Sequence, residues 1–178
     1  MLEDFKPVLW ILLRFLLIYL ILLGGYQYYL HFFEGTGLDP FSTWVGEQVV
    51  KLQSWLGYPS WFVPSRKYDA TYFYVSGDYR TMMVEGCNSV SIMILFLAFV
   101  FAFYKGLKTF AFTGIGLLML HGMNVLRIAG LNILMVERPE YTKMGHDYLF
   151  PAVIYGTVVV LWLVWVKFFA LKSNETRR

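Results

Sequence analysis

Apolar residues gather into four stretches long enough to cross a hydrocarbon core: Val8–Leu30, Asn88–Tyr104, Thr109–Val136 and Tyr148–Leu171. Crossing takes about 20 residues at a rise of 1.5 Å each, so the second run sits near the lower limit. Only Lys105-Gly106-Leu107-Lys108 separates the second run from the third, which forces those two helices to be antiparallel neighbours. The first run follows Lys6 and precedes Gly24 and Gly25, as a signal peptide would. It nevertheless continues through Tyr26–Phe33 and carries Arg14, which a short cleavable apolar region does not. It reads as a retained transmembrane helix.

The 31–86 segment follows other periods. Asp39 before Pro40 is an N-cap with proline at the first helical position, and Gly57 with Pro59 is a stop signal. Between them Phe41, Trp44, Val45, Val49, Leu52 and Leu56 recur at helical spacing, with Glu47, Lys51 and Gln53 elsewhere on the wheel. Such a helix is expected to lie on the outer leaflet or cap the bundle. Tyr68–Val75 and Tyr79–Val84 are β-prone runs separated by Ser76-Gly77-Asp78, which predicts a small hairpin. The fold class expected is an all-α integral membrane protein, residues 1–178 forming one domain of about four transmembrane helices. An outer amphipathic helix and a small β-hairpin complete it.

Composition agrees with burial in lipid. Hydrophobic residues make up 58% of the chain, against about 45–50% in soluble domains, and aromatic residues, 20% of the total, often flank the apolar runs. Net charge is only +3, with no basic cluster interleaved with aromatics, so no nucleic-acid partner is expected. The basic residues instead predict orientation. Lys6, Lys105, Lys108 and the tail of Lys172, Arg177 and Arg178 share one side of a four-span topology. The 31–86 and 137–147 loops hold more acidic than basic residues. By the positive-inside rule both termini are cytoplasmic and those loops extracytoplasmic, in a cell membrane. Arg14, about a turn and a half into the first span, reads as snorkelling to the inner headgroups.

Three side chains then reach one face. Cys87, the single cysteine, stands at the expected start of the second span, after Gly86. One thiol excludes an internal disulfide and leaves an inert core residue, a reactive thiol or an intermolecular bridge. At a helix N-terminus, unpaired N–H groups favour the thiolate. Arg127 lies about 27 Å along the third helix, near its outer end, where a cation needs protein, water or a partner around it. Asn124, one turn earlier, is placed to hold its guanidinium. His146, just before the fourth span, brings a group that transfers protons near neutral pH.

Glu85-Gly86-Cys87-Asn88-Ser89, Asn124-Val125-Leu126-Arg127-Ile128 and Gly145-His146-Asp147 resemble the successive cysteine, arginine and histidine motifs of the exosortase/archaeosortase family. The likeness covers roughly residues 82–171. The chain is shorter than many members and most resembles the short F-type exosortases of Bacteroidetes. The resemblance implies a membrane-embedded cysteine transpeptidase or peptidase with Cys87, Arg127 and His146 as catalytic residues. Its expected partners are exported proteins with a C-terminal transmembrane sorting signal, besides the lipid bilayer. Competing readings are a non-catalytic membrane scaffold or assembly subunit, and a cofactor-binding subunit using His31, His121 and His146. No helix carries a histidine pair at ligand spacing, and His121 reads as a hydrogen-bonded core residue, so no cofactor or metal is expected.

Overall fold

The computed structural model describes residues 2–65 and 68–170. The elements follow in the order α1 (Leu2–His31), α2 (Pro40–Trp55), β1 (Ser60–Ser65), β2 (Ala70–Val75), β3 (Asp78–Val84), a 3-10 turn (Glu85–Asn88), α3 (Val90–Ala102) and α4 (Leu107–Glu137). A 3-10 turn (Pro139–Tyr141), the single-turn α5 (Thr142–Met144), a π turn (Gly145–Leu149), α6 (Phe150–Trp165) and a π turn (Val166–Ala170) complete the described chain. Leu171 and the basic tail of Lys172, Arg177 and Arg178 lie outside the described residues.

Three stretches are helical, long and apolar enough to cross a membrane: Lys6–His31, Leu107–Glu137 and Pro139–Phe169. The run expected as a span over 88–104 contains a helix of only 13 residues, about 20 Å long. Its ends have local causes. Ser89 takes a left-handed conformation (φ +60°) before it, while Phe103 leaves helical geometry and Gly106 (φ +65°) turns the chain into α4.

The predicted hairpin is part of a larger unit. β2 and β3 pair antiparallel across Ser76-Gly77, both at positive φ, the geometry of a type I′ turn whose twist suits a hairpin. β1 adds on the far side of β2, giving an antiparallel sheet in the order β1-β2-β3. Pro64 obscures β1 in the sequence, since it reads as a break, yet an edge strand tolerates a residue without an N–H.

The amphipathic periodicity of α2 translates into packing against protein. Asp39 caps it, and a Schellman stop ends it, with Tyr58 N–H donating to Gln53 O (3.0 Å) and Gly57 N–H to Ser54 O (3.1 Å). The helix runs lengthwise along the second half of α4. His121 on α4 stacks on Trp44 (4.7 Å between centroids) and pairs with Gln48 (2.8 Å); farther on, Tyr58 donates to Glu137 (2.9 Å). Gln53, expected on the polar face, is fully buried and donates to the α4 carbonyl of Ala129 (3.4 Å).

Two apolar cores meet along α4. Val45 and Val49 of α2 join Phe73, Met83, Val125, Ile128 and Ala129 in one. Phe96 of α3, Leu120 of α4, and Ile154, Val158, Leu161 and Trp165 of α6 form the other. α1 packs mainly on α3, and much of its remaining apolar surface is exposed. The second core depends on Gly116, because a Cβ there would stand 2.3 Å from Cζ of the fully buried Phe96. At Gly114 and Gly122 on the same helix a Cβ would meet nothing within 4 Å. Gly116→Ala is therefore expected to lower thermal stability in detergent by about 1–3 kcal/mol through overpacking. Gly114→Ala and Gly122→Ala should hold or raise it by up to about 1 kcal/mol. Equal melting temperatures for all three variants would refute this account of the helix contact.

Candidate functional site

β3 runs directly into the Glu85–Asn88 turn, so the sheet delivers Cys87 to its place. The thiol does not occupy the first turn of a long helix as its sequence position suggests. It lies in a separate 3-10 turn, and α3 starts afresh at Val90, whose N–H is taken by Asn88 Oδ1 (2.9 Å). Two asparagines hold this turn. Asn124, fully buried on α4, donates from Nδ2 to the Cys87 carbonyl (2.9 Å). The structure thus gives Asn124 to the cysteine turn, where its sequence position suggested a contact to Arg127. The reason is direction: the buried face of α4 meets the turn.

Asn88 anchors the other side. Its Nδ2 donates to Tyr26 Oη of α1 (2.6 Å) and to Ser42 Oγ of α2 (2.8 Å). Ser42 Oγ donates in turn to Asp39 Oδ2, while Asp39 Oδ1 accepts from the N–H groups of Phe41 (3.0 Å) and Ser42 (3.2 Å). Tyr29 Oη closes on the same carboxylate (3.4 Å). Asp39, Ser42 and Asn88 are all buried, so the N-cap of α2 doubles as the anchor of the cysteine turn. Asp39-Pro40 marks the cap in the sequence, but this second use has no local mark, because Ser42 and Asn88 lie 46 positions apart.

Cys87, Arg127 and His146 line one cavity of about 370 Å³. Cys87 is free and half-buried, packed beside the core that α2, the sheet and α4 share. Arg127 is half-buried on α4, and among the described residues no carboxylate pairs with it. His146 is exposed, with Nδ1 2.9 Å from Asp147 Oδ1. In the tautomer that donates from Nδ1 to this carboxylate, Nε2 keeps a lone pair able to accept a proton. Gly145 seats the histidine segment: it is buried, and a Cβ there would come within 2.6 Å of Leu134 on α4. Apolar side chains, among them Leu131, Met135 and Phe150, make the remaining wall. A thiol, a cation and an imidazole around a mostly apolar cavity are the groups needed for acyl transfer through sulfur.

The histidines have separate surroundings, His31 beside Glu34, His121 between Gln48 and Trp44, and His146 beside Asp147. Among the described residues no three His, Cys, Asp or Glu side chains converge as metal ligands. Compared with protein-family models, curated proteins and solved structures, the chain matches none.

Glu85, two residues before Cys87 in the chain, introduces a proton-linked element. Burial, and then the carboxylates of Asp39, Asp69 and Glu34, push its carboxyl above the ordinary range, and its Oε1 is buried without a partner. A carboxyl raised in the fold favours folding below its unfolded value, and that contribution is lost as pH rises through the folded value. Glu85→Gln is expected to melt at a higher temperature than wild type at pH 8. The difference should shrink as pH falls towards 4.5, and a constant offset across that range would contradict the assignment. Asn88→Ala removes the anchor and should cost about 1–3 kcal/mol at any pH in this range, read from the same melting curves. Wild-type melting of Asn88→Ala would show that the anchor carries no stability.

Proposed function

We propose that this chain is a membrane-embedded cysteine peptidase or transpeptidase of the exosortase type, cleaving C-terminal sorting signals of exported proteins. The observation that carries this reading is the shared cavity of Cys87, Arg127 and His146, residues drawn from three separated segments of chain. The motif resemblance supports it independently. The apolar runs and the distribution of basic residues support the topology: four crossings with α3 as a short one, both termini cytoplasmic, and the cavity opening on the extracytoplasmic side.

The residues divide the chemistry between them. His146 Nε2 takes the proton from the Cys87 thiol, and Sγ attacks the scissile carbonyl carbon as the C=O electron pair moves to oxygen. The Arg127 guanidinium stabilises that oxyanion in a site whose apolar walls strengthen the interaction. When the intermediate collapses, the C–N bond breaks, His146 returns the proton to the leaving amine, and a thioester remains. An amine or water, deprotonated by His146, then attacks the thioester, and the C–S bond breaks to restore the cysteine. Asp147 orients the imidazole throughout, as a carboxylate partner does in other acyl-transfer sites.

Cys87→Ala and Cys87→Ser are expected to insert and fold normally yet stop maturation of exported substrates, read as accumulation of the uncleaved form in immunoblots of membrane fractions. His146→Ala should do the same, and Asp147→Ala should slow processing less. A membrane-impermeant maleimide should label wild-type Cys87 in cells whose outer face is accessible and whose inner membrane is intact. Normal maturation in the Cys87 variants would leave the scaffold reading, and labelling only after lysis would reverse the topology.

A further inference from the structure

The cavity touches β3 in an unusual way. Thr81, Met82 and Met83 all line it, although successive side chains of a strand point to opposite faces of the sheet. The alternation holds here, since Met83 is 2% exposed and packed in the core while Met82 is 46% exposed. A single cavity reaching three consecutive residues borders the one part of a strand that both faces share, its edge. That edge is unpaired: in the order β1-β2-β3, β3 bonds to β2 on one side and, among the described residues, to no strand on the other. α4 holds β3 from its face, where Thr81 Oγ1 donates to Asn132 Oδ1, and this leaves the edge open.

We propose that the free edge of β3 is the substrate-docking strand. An extended segment of the substrate pairs with it as a fourth strand and so brings its scissile carbonyl to Cys87. This rests on the peptidase reading and names how that site takes its substrate. Three features select an extended peptide as the occupant. The strand leads straight into the Glu85–Asn88 turn, so a peptide aligned on it ends beside the thiol. Leu131, Met135 and Phe150 face the cavity as an apolar wall for every second side chain of such a peptide. The opposite sheet edge, on β1, carries Pro64, which blocks strand addition, whereas β3 has no proline between Asp78 and Val84. Strand pairing uses main-chain groups, so recognition tolerates varied side chains and demands alternate peptide N–H groups.

The test uses the full chain in detergent and a thiol-reactive probe, acetyl-Val-Thr-Leu vinyl sulfone: the Cys87 sulfur bonds to its terminal vinyl carbon as the C=C π bond opens and the thiol proton passes to the carbon beside the sulfone. The rate is followed by intact mass, which is unambiguous with one cysteine. Ethyl vinyl sulfone is the control without a peptide. The tripeptide should react at least about tenfold faster than the control. N-methylation at one of two neighbouring peptide nitrogens should slow it roughly tenfold, while methylation at the other changes it by less than about threefold. Hydrogen exchange of the Asp78–Val84 amides should slow after modification by the tripeptide and not by the control. Equal effects of the two methylations, no advantage over the control, or unchanged exchange in β3 would each overturn strand docking. Substrate maturation in Cys87→Ala cells tests the peptidase reading separately. A chain that needs Cys87 for processing but ignores N-methylation loses only the docking mode.

Discussion

The buried chain of hydrogen bonds from Asp39 through Ser42 to Asn88 is the constraint on which the remainder of the structure turns. It joins α2 and the cysteine turn directly and takes in α1 through Tyr26 and Tyr29. Each polar group in it has a partner, which is what makes a buried carboxylate tolerable away from water. Asp39 already accepts two N–H groups as the N-cap of α2, so helix initiation and site assembly draw on one side chain. A second acidic residue extends the link between distant segments: Asp69, just before β2, accepts from the N–H groups of Gly35 and Gly37 and fixes the α1–α2 loop to the sheet.

α4 supplies the axis. Its first half packs through Gly116 and Leu120 against α3 and α6, and its second half through Val125, Ile128 and Ala129 against α2 and the sheet. The change of partners occurs near His121 and Asn124, where polar side chains satisfy Gln48 and the Cys87 carbonyl. Arg127 follows within one turn. The cation therefore sits where an apolar helical bundle gives way to a mixed helix-and-sheet unit, beside the cavity the thiol and imidazole also line.

In the proposed reaction this arrangement separates two tasks. The sheet and the asparagines fix the backbone of the cysteine turn, whereas His146 lies in an exposed turn seated by a buried glycine. A proton carrier needs access to solvent or substrate, while a nucleophile needs direction. Different local structures serve the two needs.

Apolar run length and turn chemistry were readable directly. Val8–Leu30, Thr109–Val136 and Tyr148–Leu171 announced helices because segment length and hydropathy are local quantities, and Asp39-Pro40 with Gly57 announced α2 because caps act over a few residues. Ser76-Gly77-Asp78 announced the hairpin for the same reason, although Asp78 belongs to β3 and the turn is Ser76-Gly77. Residue type and position mark Cys87, Arg127 and His146 in the sequence, and their common cavity comes from folding. What tertiary structure alone decided involves contacts between distant parts of the chain. Gln53 turned inward to Ala129, and Asn124 chose the cysteine turn over Arg127. Neither choice has a local signature. Each depends on which backbone group, tens of residues away, is left needing a partner once the helices and the sheet have packed.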